Sequence, residues 1–410
     1  MIGMETIVFI GCNKSGSSRE ALITSTQMGY CTILLTNRVG FLSKREDFPE
    51  VHQIIYEENL MNEENILVIL EELQKDKKQI AAVLSFIDPF VSLAARIASK
   101  LGLVSQTASA LAIMEDKTRF REELKSLPIS PRYSILTHDQ PILPFATWSQ
   151  DELPLIIKSP ASNGSKDVIL ASSISELKDS LRFLRRKYPK TSLLVEEYLE
   201  GTQYLIEVFV YKGELSIVAV IEQEIQQGDR FIVTGYLYPV ALSEQDYAKL
   251  EAAVTSVIEH LGLVNGSCHL EMRHVDGEWK LIEINPRMSG GAMNRIIQEG
   301  TGIHLVKEII KLSLGEAPSL EKTSARHVYA KFVTIDIRGK LIKVTGQNIA
   351  SAYEGVVEVF VKPRMGAILT KPYSLGDRYA YVIASSDTPE LAKQIASAAA
   401  MEIKFYLEPL

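Results

Sequence analysis

The chain has 410 residues, 46% of them hydrophobic, and a formal net charge of −7. This length accommodates about two or three domains, and the composition excludes a disordered or fibrous protein, while the negative charge excludes a global basic field for nucleic acid or anionic lipid. Cys12, Cys31 and Cys268 are too few and too scattered for a disulfide framework or a zinc site.

The N-terminus lacks a basic region and no segment approaches the roughly 20 apolar residues of a membrane span, so a cytoplasmic protein without signal peptide or membrane contact is expected. In chain order, "TIVFI" (6–10), "CTILLT" (31–36) and "IAAVLSF" (80–86) are apolar, β-branched runs. Helical patterns at 19–29, 62–74 and 91–102 alternate with them, which predicts a doubly wound parallel sheet over residues 1–107. The turn after the first strand, "GCNKSGSS", has Ser17 where a phosphate-binding P-loop needs lysine, and too few glycines for a dinucleotide fingerprint. It reads as a tight strand-to-helix turn that can touch a substrate anion.

Residues 108–197 begin with one helix, "LAIMEDKTRFREELKSL", ending before Pro128. "LIIK" and "SLLVEEY" follow as strands, with "SNGS" as a turn between strands. Residues 198–320 mix strands with helices. The strongest helix is 243–261, which Ser243 and Asp246 open and whose apolar stripe is Leu250, Val254, Val257, Ile258 and Leu261. Another, 302–314, ends at Gly315. Residues 321–410 form a strand-rich module closed by helix 388–401, with Thr388 before Pro389.

Candidate chemistry centres on "CHLEMRHVDGEWKLIEINPR", which reads as a hairpin. Side chains two apart share a face, so His269, Glu271 and Arg273 align on one strand and Glu283, Asn285 and Arg287 on the other. Whether the two faces coincide depends on turn parity. A three-residue loop, 275–277, with Gly277 in a left-handed bulge position, would place His269 opposite Glu283 and Glu271 opposite Leu281, with Glu271, Glu283 and Asn285 on one face. That odd loop is the expectation. Two carboxylates and an amide suit Mg²⁺ with substrate phosphates, and Arg287 would face those phosphates or a developing oxyanion. A solvated sheet face explains the same spacing equally well. Lys117 on a polar helix start and Lys158 at a strand end read singly as surface residues, and Glu196 and Glu197 as a strand leaving the core.

Taken in order, Lys117, Lys158, "SNGSK", "VEEYLEG", Glu271 and "EINPR" resemble the ATP-grasp superfamily over about residues 1–320, the remainder matching the small C-terminal module of many members. The resemblance implies an α/β ATP-grasp fold in which 1–107 precedes a lid subdomain at 108–197, a catalytic subdomain at 198–320 and a β-rich module at 321–410. Within the superfamily the chain is most similar to bacterial L-amino-acid α-ligases, the arginine-preferring dipeptide synthases in particular. These join two free amino acids while splitting ATP to ADP and phosphate. On that resemblance, Lys117 and Lys158 contact ATP, and Gly164, Ser165 and Lys166 form a phosphate lid. Glu196, Glu197 and Leu199 border adenine, while Glu271, Glu283 and Asn285 hold two Mg²⁺ ions, replaceable by Mn²⁺. Arg287 steadies the transferred phosphoryl group. Glu222, with Glu224 and Asp229, and Gly290, Gly291 and Arg295 are expected in the amino-acid pocket, and a homodimer is a superfamily habit. One departure is Asp167, where the family's lid has glycine before the valine. Other carboxylate–amine or biotin-carboxylase-like ligases are the nearest alternative, and a non-catalytic ATP-binding protein a distant one.

Overall fold

The computed structural model describes residues 4–142, 148–160, 164, 166–226 and 231–410. The N-terminal segment runs β1 (Thr6–Ile10), α1 (Ser17–Gln27), β2 (Cys31–Thr36), α2 (Val39–Leu42), β3 (Gln53–Tyr56), α3 (Glu63–Lys75), β4 (Ile80–Leu84) and α4 (Val91–Lys100). Its strands pair in parallel in the order β3-β2-β1-β4. Every residue of β1 and β2 is buried, as expected for strands covered on both faces. The sequence pattern missed the short β3, half of which is exposed.

The expected single helix after residue 108 is two: α5 (Ala108–Glu115) and α6 (Lys117–Leu124). Asp116 breaks the run because its carboxylate accepts from Thr118 N and Arg119 N, capping α6. Next come β5 (Tyr133–Leu136), β6 (Leu155–Lys158), β7 (Val168–Ala171), α7 (Ile174–Lys187) and β8 (Leu193–Glu197). They form a separate antiparallel sheet, ordered β5-β8-β6-β7, with α7 on one face.

The largest sheet begins with β9 (Thr202–Tyr211), β10 (Glu214–Gln226) and β11 (Ile232–Tyr238). Helix α8 (Glu244–Leu261) follows, then β12 (Gly266–Val275), β13 (Glu278–Asn285), α9 (Met293–Thr301) and α10 (Leu305–Ser313). The stripe Leu250, Val254, Val257, Ile258 and Leu261 is buried as the periodicity predicts, and Ser243 caps the helix. The last segment contains β14 (His327–Val333), β15 (Gly339–Thr345), α11 (Gln347–Ser351), β16 (Val356–Val361), β17 (Ile368–Leu369), β18 (Ala380–Ser386), α12 (Pro389–Glu402) and β19 (Lys404–Pro409). The eight-stranded sheet is ordered β13-β12-β9-β10-β11-β14-β18-β16, so it runs unbroken across residue 320. One face packs on α5, α6 and α8, the other on α9 and α10 and the N-terminal sheet. No helix among the described residues is long and apolar enough to cross a membrane.

The hairpin β12–β13 departs from the expected turn. Val275 pairs with Glu278, leaving a two-residue loop in which Asp276 and Gly277 have φ of 49° and 80°. Such an Asp-Gly loop matches the right-handed twist of the strands. Counted from that turn alone, the two glutamates would fall on opposite faces. A bulge at Ile282 restores the phase: Met272 pairs with Leu281, but Glu271 pairs with Glu283 and His269 with Asn285. The extra residue lies in the strand and not in the turn. An added Cβ at Gly277 would come no closer than 3.9 Å to another group, Lys249 Nζ. The Gly277→Ala substitution therefore isolates the cost of a left-handed backbone, and a loss of about 1–2 kcal/mol is expected in urea titrations.

Candidate active site

The bulge at Ile282 points two consecutive carbonyls into the protein. Arg121, fully buried on α6, donates to Leu281 O at 2.8 Å and Ile282 O at 2.5 Å. Its Nε donates to Glu196 Oε1 at 2.7 Å, and Lys158 Nζ lies 2.7 Å from the other oxygen of the same carboxylate. Burial disfavours the Glu196 anion, but Arg121 and Lys158 outweigh it and hold the group at about 2. One carboxylate thus ties α6, β6 and β8 to the bulge of β13.

Above this cluster lies a cleft of about 600 Å³. It brings together Lys117, Lys158, Gly164, Glu196, Glu197, Leu199, Glu271, Glu283, Asn285, Arg287, Gly290 and Gly291. Glu271 and Glu283 face each other across the paired strands, with Lys117 Nζ 3.3 Å from Glu283 Oε1 and Gln203 Nε2 3.3 Å from Glu271 Oε2. Burial and the facing Glu283 push Glu271 up to about 7. Burial also opposes ionisation of Glu283, yet Lys117 and Lys158 keep it below its ordinary value.

Asn285 is oriented by a histidine. Arg287 O can only accept, so His269 Nδ1, 2.7 Å away, carries the proton. His269 Nε2 then accepts from Asn285 Nδ2 at 3.2 Å, leaving the amide oxygen for another partner. Burial, with Arg287 close by, lowers His269 to about 4, so the ring stays neutral. Among the described residues no three acid, histidine or cysteine side chains converge as a complete metal cage. The donor set of two mutually repelling half-buried carboxylates and a pre-oriented amide oxygen nevertheless fits a divalent cation that keeps water and phosphate ligands.

Arg287 is matched by an acid the sequence reading did not single out. Its Nη2 lies 2.6 Å from Asp88 Oδ2, just after β4. The turn of 11–18 also reaches the cleft: Asn13, Ser15, Gly16, Ser17 and Ser18 line it, and a Cβ on Gly16 would sit 3.0 Å from Gly291 N. The expectation that this turn can touch a substrate anion is compatible with that place.

Several expected site residues stand elsewhere. Glu222 and Arg295 do not line the cleft. On β10 it is Gln223 that bonds Gln203, at 2.7 Å. Its neighbour Glu224 turns to Tyr329 and Lys393, because alternate side chains leave opposite faces. Arg295 pairs with Glu299 one helical turn on, at 2.8 Å. Lys166 is exposed outside the lining, and Ser165 and Asp229 lie outside the described residues. Neither expected adenine-side carboxylate is free. Glu196 is held as above, and Glu197 accepts from Arg132 N at 2.8 Å and Arg132 Nε at 3.4 Å.

Asp167 explains the departure from a glycine-rich lid. Its φ is 59°, the glycine-favouring region that aspartate tolerates better than most residues. Its carboxylate accepts from Tyr188 at 2.5 Å and from Tyr373 at 2.6 Å, and pairs with Lys187 at 2.8 Å. Leu375 N donates to Gly164 O at 3.1 Å. The loop 371–378 thereby fastens the turn before β7, and Leu375, Gly376 and Arg378 complete the cleft wall.

Glu207 on β9 is fully buried and faces His269. One oxygen accepts from Ser289 N at 2.9 Å, and the other has no partner among the described residues. Burial pushes this carboxyl up to about 8. Its folded value exceeds the unfolded one, so its contribution to stability is complete below about pH 4.5 and is lost as pH rises through about 8. In EDTA, the urea midpoint should fall across that window, and Glu207→Gln should flatten the decline.

A family model described as an ATP-grasp domain matches residues 151–295, and one described as L-amino acid ligase C-terminal domain 2 matches residues 331–408. The chain is 24% identical to dapdiamide A synthase of Enterobacter agglomerans, over 62% of this chain and 62% of that protein. It is also 24% identical to carnosine synthase 1 of Mus musculus, over 64% of this chain and 34% of that one. The chain thus matches less than two thirds of the length of these curated relatives. In structure it is similar to an L-amino acid ligase from Bacillus licheniformis, with a TM-score of 0.84, 19% identity, and coverage of 98% of this chain and 99% of the other. A biotin carboxylase domain from Hydrogenobacter thermophilus, in complex with MgADP and bicarbonate, gives a TM-score of 0.75 at 16% identity, covering 99% and 91% of the chains. The architecture is therefore the ATP-grasp fold.

Proposed function

We propose that this chain, which belongs to the ATP-grasp superfamily and ends in an L-amino acid ligase C-terminal domain, joins two free L-amino acids into a dipeptide with cleavage of ATP to ADP and phosphate. The observation that carries the proposal is the facing pair Glu271 and Glu283 in one cleft with Lys117, Lys158 and Arg287. That combination of a carboxylate pair and cations meets the chief demand of phosphoryl transfer, the neutralisation of phosphate charge at a fixed position.

In the proposed reaction a carboxylate oxygen of the first amino acid attacks the γ-phosphorus, the bond to ADP breaks, and an acyl phosphate forms. The amine of the second then attacks the carbonyl carbon, the C–O bond to phosphate breaks, and phosphate leaves with the surplus proton passing to solvent. No side-chain nucleophile is needed. Lys117 and Lys158 orient the phosphates. Arg287, positioned by Asp88, stabilises the transferred group and the tetrahedral oxyanion. Glu271, Glu283 and the oxygen of Asn285 would hold Mg²⁺, two ions or Mn²⁺ in their place, which would supply charge neutralisation to the phosphates. Loop 371–378 and the turn it fastens exclude water from an acyl phosphate that would hydrolyse. Arginine as first substrate, cytoplasmic residence and a homodimer complete the reading. The acidic side chains expected to read arginine, Glu222 and Glu224, supply no support from the cleft wall.

The decisive experiment is phosphate release screened over the twenty amino acids singly and in pairs, with mass detection of product. Release only with amino acids, and dipeptide in the product, is the expected result. ATP binding without amino-acid-dependent hydrolysis would overturn it. With an active pair, Glu283→Gln should lower turnover about a hundredfold or more without loss of folded structure by circular dichroism. Arg287→Ala should lower kcat by a similar factor while ATP affinity by calorimetry changes far less.

A further inference from the structure

The cations of the cleft are not alike. Lys117 is balanced by Glu283, Lys158 by Glu196 and Arg287 by Asp88. Arg378 has no such partner: among the described residues no carboxylate lies within 4 Å of it. Its side chain is held by neutral groups. Nε donates to Leu375 O at 3.1 Å, Nη1 to Val233 O at 3.4 Å, and the guanidinium lies 3.8 Å from the centroid of the Phe332 ring. The Tyr236 hydroxyl is 3.5 Å from Nη1. Arg38 and Arg273 also line the cleft without an ion pair, but Arg38 is exposed and bonds Asn13, while Arg273 sits two residues from Glu271 on β12 and donates to Gln203 and Leu199 O. Arg378 is fixed away from the carboxylate pair and has no counter-charge among the described residues, which suits an anion from outside the chain.

We propose that Arg378 binds the α-carboxylate of the amino acid that supplies the amine, an inference that rests on the ligase reading above. Three anionic groups enter that reaction. Two of them, the nucleotide phosphates and the reacting carboxylate, must meet at Glu271 and Glu283 on β12 and β13. The third belongs to the second amino acid and keeps its charge from binding to product release. Arg378 stands over β11 and β14, with β9 and β10 between it and the carboxylate pair, so it does not compete for the reacting end. Its neighbours Val233, Tyr236 and Leu375 also line the cleft. The same loop that fastens the lid turn thus supplies the contact for the second substrate.

The test uses the active pair from the screen. Hydroxylamine replacing the second amino acid should give a hydroxamate with the wild type; its absence, with no dipeptide formed, rejects the ligase reading itself. Given that activity, the wild type should prefer the free acid of the second amino acid over its carboxamide. Arg378→Ala should raise the KM for the free acid about tenfold to a hundredfold and abolish the preference. Arg378→Lys should retain part of it, which separates charge recognition from a loosened loop. An undiminished acid-over-amide preference in Arg378→Ala, or a rise confined to the KM for ATP, would overturn the assignment.

Discussion

Everything in the cleft rests on the buried contact between Arg121, Glu196, Lys158 and the carbonyls of Leu281 and Ile282. Two cations and an anion are removed from water there, which is costly unless each hydrogen-bonding group finds a partner. They do so because the strand bulges at Ile282 and turns two successive carbonyls toward the same guanidinium. The bulge that satisfies Arg121 is the same one that brings Glu283 opposite Glu271. Charge burial and site assembly are therefore one event, and a regular hairpin would lose both.

Around that anchor the site is built from parts of differing rigidity. Glu271, Glu283 and Asn285 lie on β12 and β13, the paired strands at one edge of the large sheet, where the register fixes their common face. His269 and Glu207 stand behind them and set the direction of Asn285 and the path of the chain at Ser289. The remaining walls come from turns: 11–18 from the N-terminal sheet, the turn before β7, and loop 371–378. Strands thus hold the paired carboxylates, and turns supply much of the surrounding wall.

Much of this was legible in the sequence. Alternating apolar runs announced the parallel sheet, and helix α8 could be written with its cap and stripe. The spacing of Glu283, Asn285 and Arg287 announced a polar face. The hairpin shows where such reading stops: the common face was right, but the device was a mid-strand bulge behind an even turn, and pairing arithmetic from the turn cannot reveal an extra residue in a strand. Arg121 was invisible for a related reason, since a charged residue on a short polar helix reads as exposed until the bulge carbonyls and Glu196 surround it. Glu222 failed by one position, since β10 turns Gln223 toward Gln203 and Ile225 toward the cleft. Asp88 comes from a distant segment, and only the tertiary fold makes it a neighbour of the site.

The contact between Asp167 and Tyr373 has a consequence for modularity. The two residues lie 206 positions apart in sequence, yet one fastens the other beside the cleft. A chimera that takes residues 331–408 from one relative and the turn before β7 from another keeps that pair only if both parents carry it. The two positions form a unit of inheritance, to be transplanted together, and the last module counts as part of the cleft wall and not as an appendage to it.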